Sequence, residues 1–234
     1  KAPVPQKVTS SRKEILESLL SSGFDVSDEE LNLLPPMRLI SSLLPLLFQG
    51  ESKGKIRAVA MLGKTVARLA GSNIEGARDV VRRLMWNLND ESGSIGWGSP
   101  EGMGEILASH EGLAGEYVHI LASYTRPDAN YLENEILQRG LLWAIGRVWR
   151  RYPELVLASD PSIVPYLDST DPAVRGLAAG LLGDLREKKA CRPLARLLED
   201  DSDYEAPMEE AGTKRWVKDA AREARTMIGC SDSP

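Results

Sequence analysis

The sequence predicts an all-α protein, a right-handed α-solenoid of four to five stacked helical hairpins. Three observations carry this expectation. A short pattern recurs, an apolar residue, then Gly, then another apolar residue one or two positions on: M-L-G-K-T-V at Gly63, G-M-G-E-I at Gly104, A-I-G-R-V at Gly146 and L-L-G-D-L at Gly183. These glycines are 41, 42 and 37 residues apart, with a weaker echo, M-I-G at Gly229, 46 further on. Self-similarity at a period of about 40 residues is the mark of a helical-hairpin repeat. The second half of the unit repeats as well. R-R-L-M-W-N-L-N-D-E-S, from Arg82 to Ser92, aligns without a gap on R-P-L-A-R-L-L-E-D-D-S, from Arg192 to Ser202. Finally, the apolar residues fall at helical spacing. Ala77, Val80, Val81, Leu84 and Leu88 make one stripe, and Leu113, Tyr117, Ile120, Leu121 and Tyr124 another.

Taken in order, residues 1–35 read as an N-terminal tail with capping helices and residues 36–234 as the solenoid. The tail, Lys1 to Ser10, is polar with two prolines. Ser11 to Ser22 reads as a helix through Ile15, Leu16, Leu19 and Leu20, and Pro35-Pro36 precedes a second helix from Met37 to Phe48. First helices of the hairpins are expected at Lys55–Ala70, Pro100–Ser109, Leu132–Arg151, Pro172–Arg186 and Lys214–Ile228. Second helices are expected at Ile74–Asn89, Gly112–Tyr124, Ser162–Asp168 and Ala190–Glu199. In such a stack the second helices usually line the concave, binding side. Asp200 to Glu210 reads as a solvated acidic loop that lengthens the last interval.

The clearest unit, D-P-A-V-R-G-L-A-A-G-L-L-G-D-L followed by A-C-R-P-L-A-R-L-L-E-D-D, resembles a HEAT repeat of the phycobilisome-lyase-like type. Asp171-Pro172 starts its first helix, Ala178 and Ala179 allow close packing, and Pro193 stands near the start of its second. Trp86 to Glu111 followed by Leu132 to Arg147 also resembles a recurrent bacterial HEAT-repeat protein of unassigned function. The resemblance implies a fold and no activity.

Composition narrows the function classes. The net charge of −5 over 234 residues opposes long-range attraction to nucleic acid, so nucleic acid is an unlikely partner. The most apolar run, Leu39 to Phe48, is short and broken by Pro45, so no membrane span is expected. Cys191 and Cys230 match no metal or redox spacing, and two reduced thiols in a cytoplasmic protein are the plain reading. Nucleotide-binding and hydrolase motifs are absent from the sequence.

Candidate function concentrates in the middle of the chain. Between Arg83 and Arg126 there is no Lys or Arg, while Asp90, Glu91, Glu101, Glu105, Glu111 and Glu116 all fall there, with both histidines. Gly93, Gly96 and Gly98 surround Trp97, and Ser99-Pro100 is a good helix start, with Ser as cap. Trp97 either plugs the seam between two repeats or anchors a partner. Glu101 and Glu105 share a helical face, solvated, paired with Arg or open to a cation. Arg78, Arg82 and Trp86 form one i, i+4, i+8 stripe, and Arg139, Trp143 and Arg147 another.

The expected function is a scaffold that grips a protein partner through Trp86, Asn89, Asp90, Glu91, Trp97, Glu101, Glu105, Arg139 and Trp143. No cofactor and no catalysis are expected. The alternative is an enzyme on the same face. One form is a metal site using Glu101, Glu105, His110, Glu116 and His119, where Glu-x-x-His is a familiar iron-holding pair. HEAT-repeat deoxyhypusine hydroxylases use four His-Glu dipeptides, and this chain has one, His110-Glu111. The other form resembles HEAT-like DNA glycosylases, with Asp90 near Trp86 as the one candidate acid.

Overall fold

The computed structural model describes residues 34–48, 53–89, 96–209 and 212–231. The expected tail, the Ser11 to Ser22 helix, Asp90 and Glu91 lie outside the described residues. The chain forms α1 (Pro36–Leu47), α2 (Lys53–Ala70), α3 (Ile74–Asn89), α4 (Ser99–Ser109), α5 (Glu111–Ser123), α6 (Glu135–Trp149) and α7 (Pro153–Ser159). A 3-10 turn (Val164–Asp168), α8 (Pro172–Asp184) and α9 (Cys191–Arg196) follow. Two short strands, β1 (Asp203–Glu205) and β2 (Lys214–Trp216), precede α10 (Val217–Ile228).

The fold is an all-α solenoid of two helical layers. One layer is the row α1, α2, α4, α6, α8, α10, each packed on the next. The other holds the return helices α3, α5, α7 and α9. The hairpins are α2–α3, α4–α5, α6–α7 and α8–α9, with α1 in front and α10 behind; in the third of them the return helix is α7, and the helix expected at Ser162–Asp168 is instead the 3-10 turn Val164–Asp168. One continuous apolar core runs between the layers, from Leu39 and Leu43 through Leu62, Leu84, Ile106, Leu141 and Leu182 to Ala221.

The recurring glycine has a packing cause. It marks where neighbouring first-layer helices cross with little room between them. A Cβ on Gly63 would lie 2.8 Å from the Glu105 carbonyl oxygen, one on Gly104 2.6 Å from Ala144 Cα, and one on Gly183 2.8 Å from Ala224 Cα. Gly146 is looser, with only Leu181 Cδ1 at 3.9 Å. Gly104→Ala is expected to cost about 1–3 kcal/mol, because the clash is with backbone and forces α4 from α6. Gly115→Ala, where an added Cβ meets nothing within 4 Å, is expected to stabilise by about 0.5–1 kcal/mol. Thermal melts of the two variants check the contrast; a Gly104→Ala melt at or above wild type would refute the crossing argument.

Several expected boundaries move, each for a local reason. Ser99 is not the cap of α4 but its first residue. Gly98 takes the cap position at φ 75°, and its own missing Cβ lets the Leu47 carbonyl approach. The helix expected from Leu132 begins at Glu135 because the Asn134 side chain accepts from the Ile136 and Leu137 N–H groups. The Tyr152-Pro153 step opens α7, which the expected hairpin scheme left out.

The acidic loop is a correction. Asp203–Glu205 pairs antiparallel with Lys214–Trp216, and Tyr204 is buried with its ring on Gly176. Its charges are matched locally, Asp200 by Arg175, Asp201 by Lys218, Asp203 by Lys214 and Glu209 by Arg215.

The reduced-thiol reading is also corrected. Cys191, opening α9, and Cys230, just past α10, form a disulfide with Cα atoms 5.6 Å apart. Lys188 Nζ donates to the Ile228 carbonyl at 2.6 Å, and Arg225 donates to the Cys191 carbonyl at 2.7 Å, tying the same two ends together. With the disulfide formed, the cysteines no longer argue for a reducing compartment. Among the described residues no helix is long and apolar enough to cross a membrane.

Candidate partner-binding face

The structure separates the residues that the sequence grouped. Trp86 and Asn89 close the C-terminal end of α3, in the return-helix layer. α3 starts cleanly, with Asn73 Oδ1 accepting from Gly76 N at 2.9 Å. Its apolar stripe, Ala77, Val80, Val81, Leu84 and Leu88, faces the core. That leaves Arg82, Arg83 and Trp86 outward, and Trp86 is 74% exposed. Asn89 is exposed, its amide 3.5 Å from the hydroxyl of the fully buried Tyr124.

Trp97 is half-buried against the core, and among the described residues its indole N–H has no hydrogen-bond partner.

The two carboxylates of α4 are turned inward. Glu101 is 3% exposed, and its Oε1 accepts from Lys55 Nζ of α2 at 2.8 Å. Gly140 on α6 makes room for it: a Cβ there would sit 2.4 Å from Glu101 Oε2. Glu105 is clamped by the Arg147 guanidinium of α6 in a two-pronged pair at 2.7 and 3.0 Å. Arg139 of α6 grips Asp171, which also caps α8 by accepting from Ala173 N and Val174 N. Each pair joins one first-layer helix to the next, a ladder the sequence analysis raised only as an alternative.

The return layer has its own rung. Arg78 of α3 donates to both oxygens of Glu116 on α5, at 2.7 and 2.5 Å, and also reaches Glu75. Those hydrogen bonds hold the Glu116 and Glu75 carboxyls below the usual range and raise the Arg78 guanidinium. Arg82 pairs with Asp79 and Glu75. The Arg stripes are thus matched by carboxylates and present no bare cationic track for a phosphate backbone.

The metal alternative finds no convergent donor set. His110 Nδ1 accepts from Leu113 N at 3.2 Å and so caps α5. His119 is exposed on α5, while Glu101, Glu105 and Glu116 are each held by a different cation. Among the described residues no three His, Cys, Asp or Glu side chains come together to hold a metal.

Trp143 lies elsewhere, half-buried on α6, beside a cleft over α8. A glycine line on α8 (Gly176, Gly180) with a large residue on the neighbouring repeat was the available signal.

Comparison with known proteins agrees on architecture. No protein-family model matches the chain. An uncharacterized protein of Archaeoglobus fulgidus is 28% identical over 152 residues, 62% of this chain and 74% of that protein. Among solved structures, a designed armadillo repeat protein in complex with the peptide (KR)4 has a TM-score of 0.56 at 16% identity, covering 93% of this chain and 92% of that one. Computationally designed armadillo repeat proteins for modular peptide recognition give 0.55 at 15% identity, over 93% and 91%. An engineered protein gives 0.51 at 13%, over 95% and 100%. The chain shares its helical-repeat solenoid fold with these structures.

Proposed function

We propose that the protein is a binding or scaffold module that engages a polypeptide through the exposed face of its middle return helices, with Trp86 as the anchor. The observation that carries this reading is the exposure of Trp86. A tryptophan 74% open to water at the end of a well-formed helix contributes little to its own fold. Buried under a partner, an aromatic of this size is the typical hot spot. Arg83 and Asn89, exposed on the same helix, supply a polar rim. The two designed armadillo proteins named above carry peptide recognition in their own descriptions, which favours a polypeptide as partner.

In this reading Glu101, Glu105 and Arg139 support the site by fixing the repeats that present it. Trp97 packs against the core just before α4. No catalytic step is assigned.

The test is affinity capture with the wild type and Trp86→Ala, followed by a binding isotherm for each captured protein. We expect unchanged thermal stability and a loss of affinity of about thirtyfold or more for at least one specific partner, the size of a hot-spot truncation. Equal affinities from both proteins would remove Trp86 from the site.

A further inference from the structure

On the first-helix layer a cleft of about 230 Å³ lies over α8. Its lining comes from α6, α8, α10 and the β-hairpin, with nothing from the return helices. The floor on α8 is open where Gly176 and Gly180 lie, flanked by Leu177 and Leu181. Gly176, Gly180 and Asp184 follow one another at i, i+4, i+8 and so share one face. The Tyr204 ring closes the Gly176 end, and a Cβ on Gly180 would meet nothing within 4 Å. Trp143 of α6 stands on one side and Met227 of α10 on the other.

The open end of this trough holds the carboxylates of Asp184 and Glu223, faced by exposed Arg150, the guanidinium of Arg215 being taken by Glu209. Asp184 is half-buried, and among the described residues its carboxylate has no hydrogen bond and no ion pair. Burial pushes its carboxyl above the usual range, an effect that exposed Arg150 only partly offsets. Glu223, exposed on α10, also lacks an ion pair among the described residues. Arg215, the other cation lining the cleft, is already held by Glu209.

These facts select the occupant. An anion meets Asp184 and Glu223. A purely apolar group would strip the remaining water from Asp184 and give nothing back. What fits is an apolar stem with a donating, positively charged head. We propose that this cleft receives a lysine or arginine side chain of a partner polypeptide, its methylenes on the glycine floor between Trp143 and Met227 and its head at Asp184. The stem covers apolar surface while the head stays at the wet end. The Trp143 ring adds an attractive face for a cation. The cleft lies on the opposite layer from Trp86 and does not rest on the reading given above.

The test is an amide NMR titration of the full chain with a capped pentapeptide, acetyl-Ala-Gly-Lys-Gly-Ala-amide, and its norleucine counterpart. The lysine peptide is expected to shift the Gly176, Gly180 and Asp184 amides saturably below about 10 mM. The norleucine peptide is expected to bind about tenfold more weakly, the worth of a hydrogen bond to a charged group. Asp184→Asn is expected to erase that preference. Gly180→Leu fills the open trough at an exposed helical position and raises helix propensity, so it folds while blocking the shifts. Trp86→Ala is expected to leave the titration unchanged, which separates this site from the other. Absence of shifts at about 10 mM, or equal binding of the norleucine peptide, overturns the proposal. So does concentration-dependent self-association that Gly180→Leu abolishes, which assigns the cleft to a second copy of the chain.

Discussion

Lys55→Met is expected to lower the free energy of unfolding by about 3–5 kcal/mol, among the largest single-residue effects in this protein. The Glu101 carboxylate is 3% exposed and accepts from Lys55 Nζ at 2.8 Å. Removing the ammonium leaves that carboxylate enclosed between α2, α4 and α6, where water does not reach it. The cost comes from stranding the charge rather than from losing an attraction. That distinction sets the control. Lys55→Met with Glu101→Leu removes both charges and is expected to recover wild-type stability or exceed it by about 1–4 kcal/mol. For a chain of this size about 2–4 °C of melting temperature accompanies each kcal/mol. A single variant that melts within about 2 °C of wild type would show that the pair is not enclosed as described.

Reducing the Cys191–Cys230 disulfide is expected to cost about 4 kcal/mol, the loop-closure entropy of a 39-residue span, with the loss confined at first to the last repeat. The sulfurs link the first turn of α9 to the residue after α10, so opening the bond releases α10 from the end of the stack. In a repeat protein a terminal unit that loses its tie melts ahead of the others. Calorimetry with and without dithiothreitol is expected to resolve an early transition in the reduced protein only, and Cys230→Ser is expected to reproduce it. Two titratable thiols in the unreduced, unfolded protein would refute the bond.

Much of the fold was legible because the helix-crossing constraint repeats. Gly63, Gly104 and Gly183 sit where backbones meet, so the need for no side chain reappears once per hairpin. Helix α3 was read at its full extent, Ile74–Asn89, because one apolar stripe defines it and Asn73 caps it. The β-hairpin was not legible. Two three-residue strands carry too short an alternation, and the one buried residue, Tyr204, is specified by a glycine on another element. The site was read least well, for a related reason. Helical-face reasoning places Glu101 and Glu105 opposite Met103, Ile106 and Leu107, yet both sides of α4 are covered in a stack, one by α2 and the other by α6. Trp86 is the one grouped aromatic that lies exposed on a return helix.

The cysteines teach the same lesson from the other direction. Their spacing matches no metal or redox motif, yet 39 residues is about one repeat, the distance at which solenoid neighbours meet. The partners of Glu105 and Glu101 lie 42 and 46 residues away, and Arg78 finds Glu116 at 38.

These separations bear on how the chain finds its structure. The Lys55–Glu101, Glu105–Arg147, Arg78–Glu116 and Arg139–Asp171 pairs and the disulfide span from 32 to 46 residues, however long the whole chain is. Each hairpin added to the stack therefore closes a loop of similar size, about one repeat long. The entropic cost of closure stays that of a short segment throughout, and growth can start from any hairpin and spread both ways. The protein folds as a chain of local decisions, and its topology sets a search no longer than that of a domain a fraction of its size.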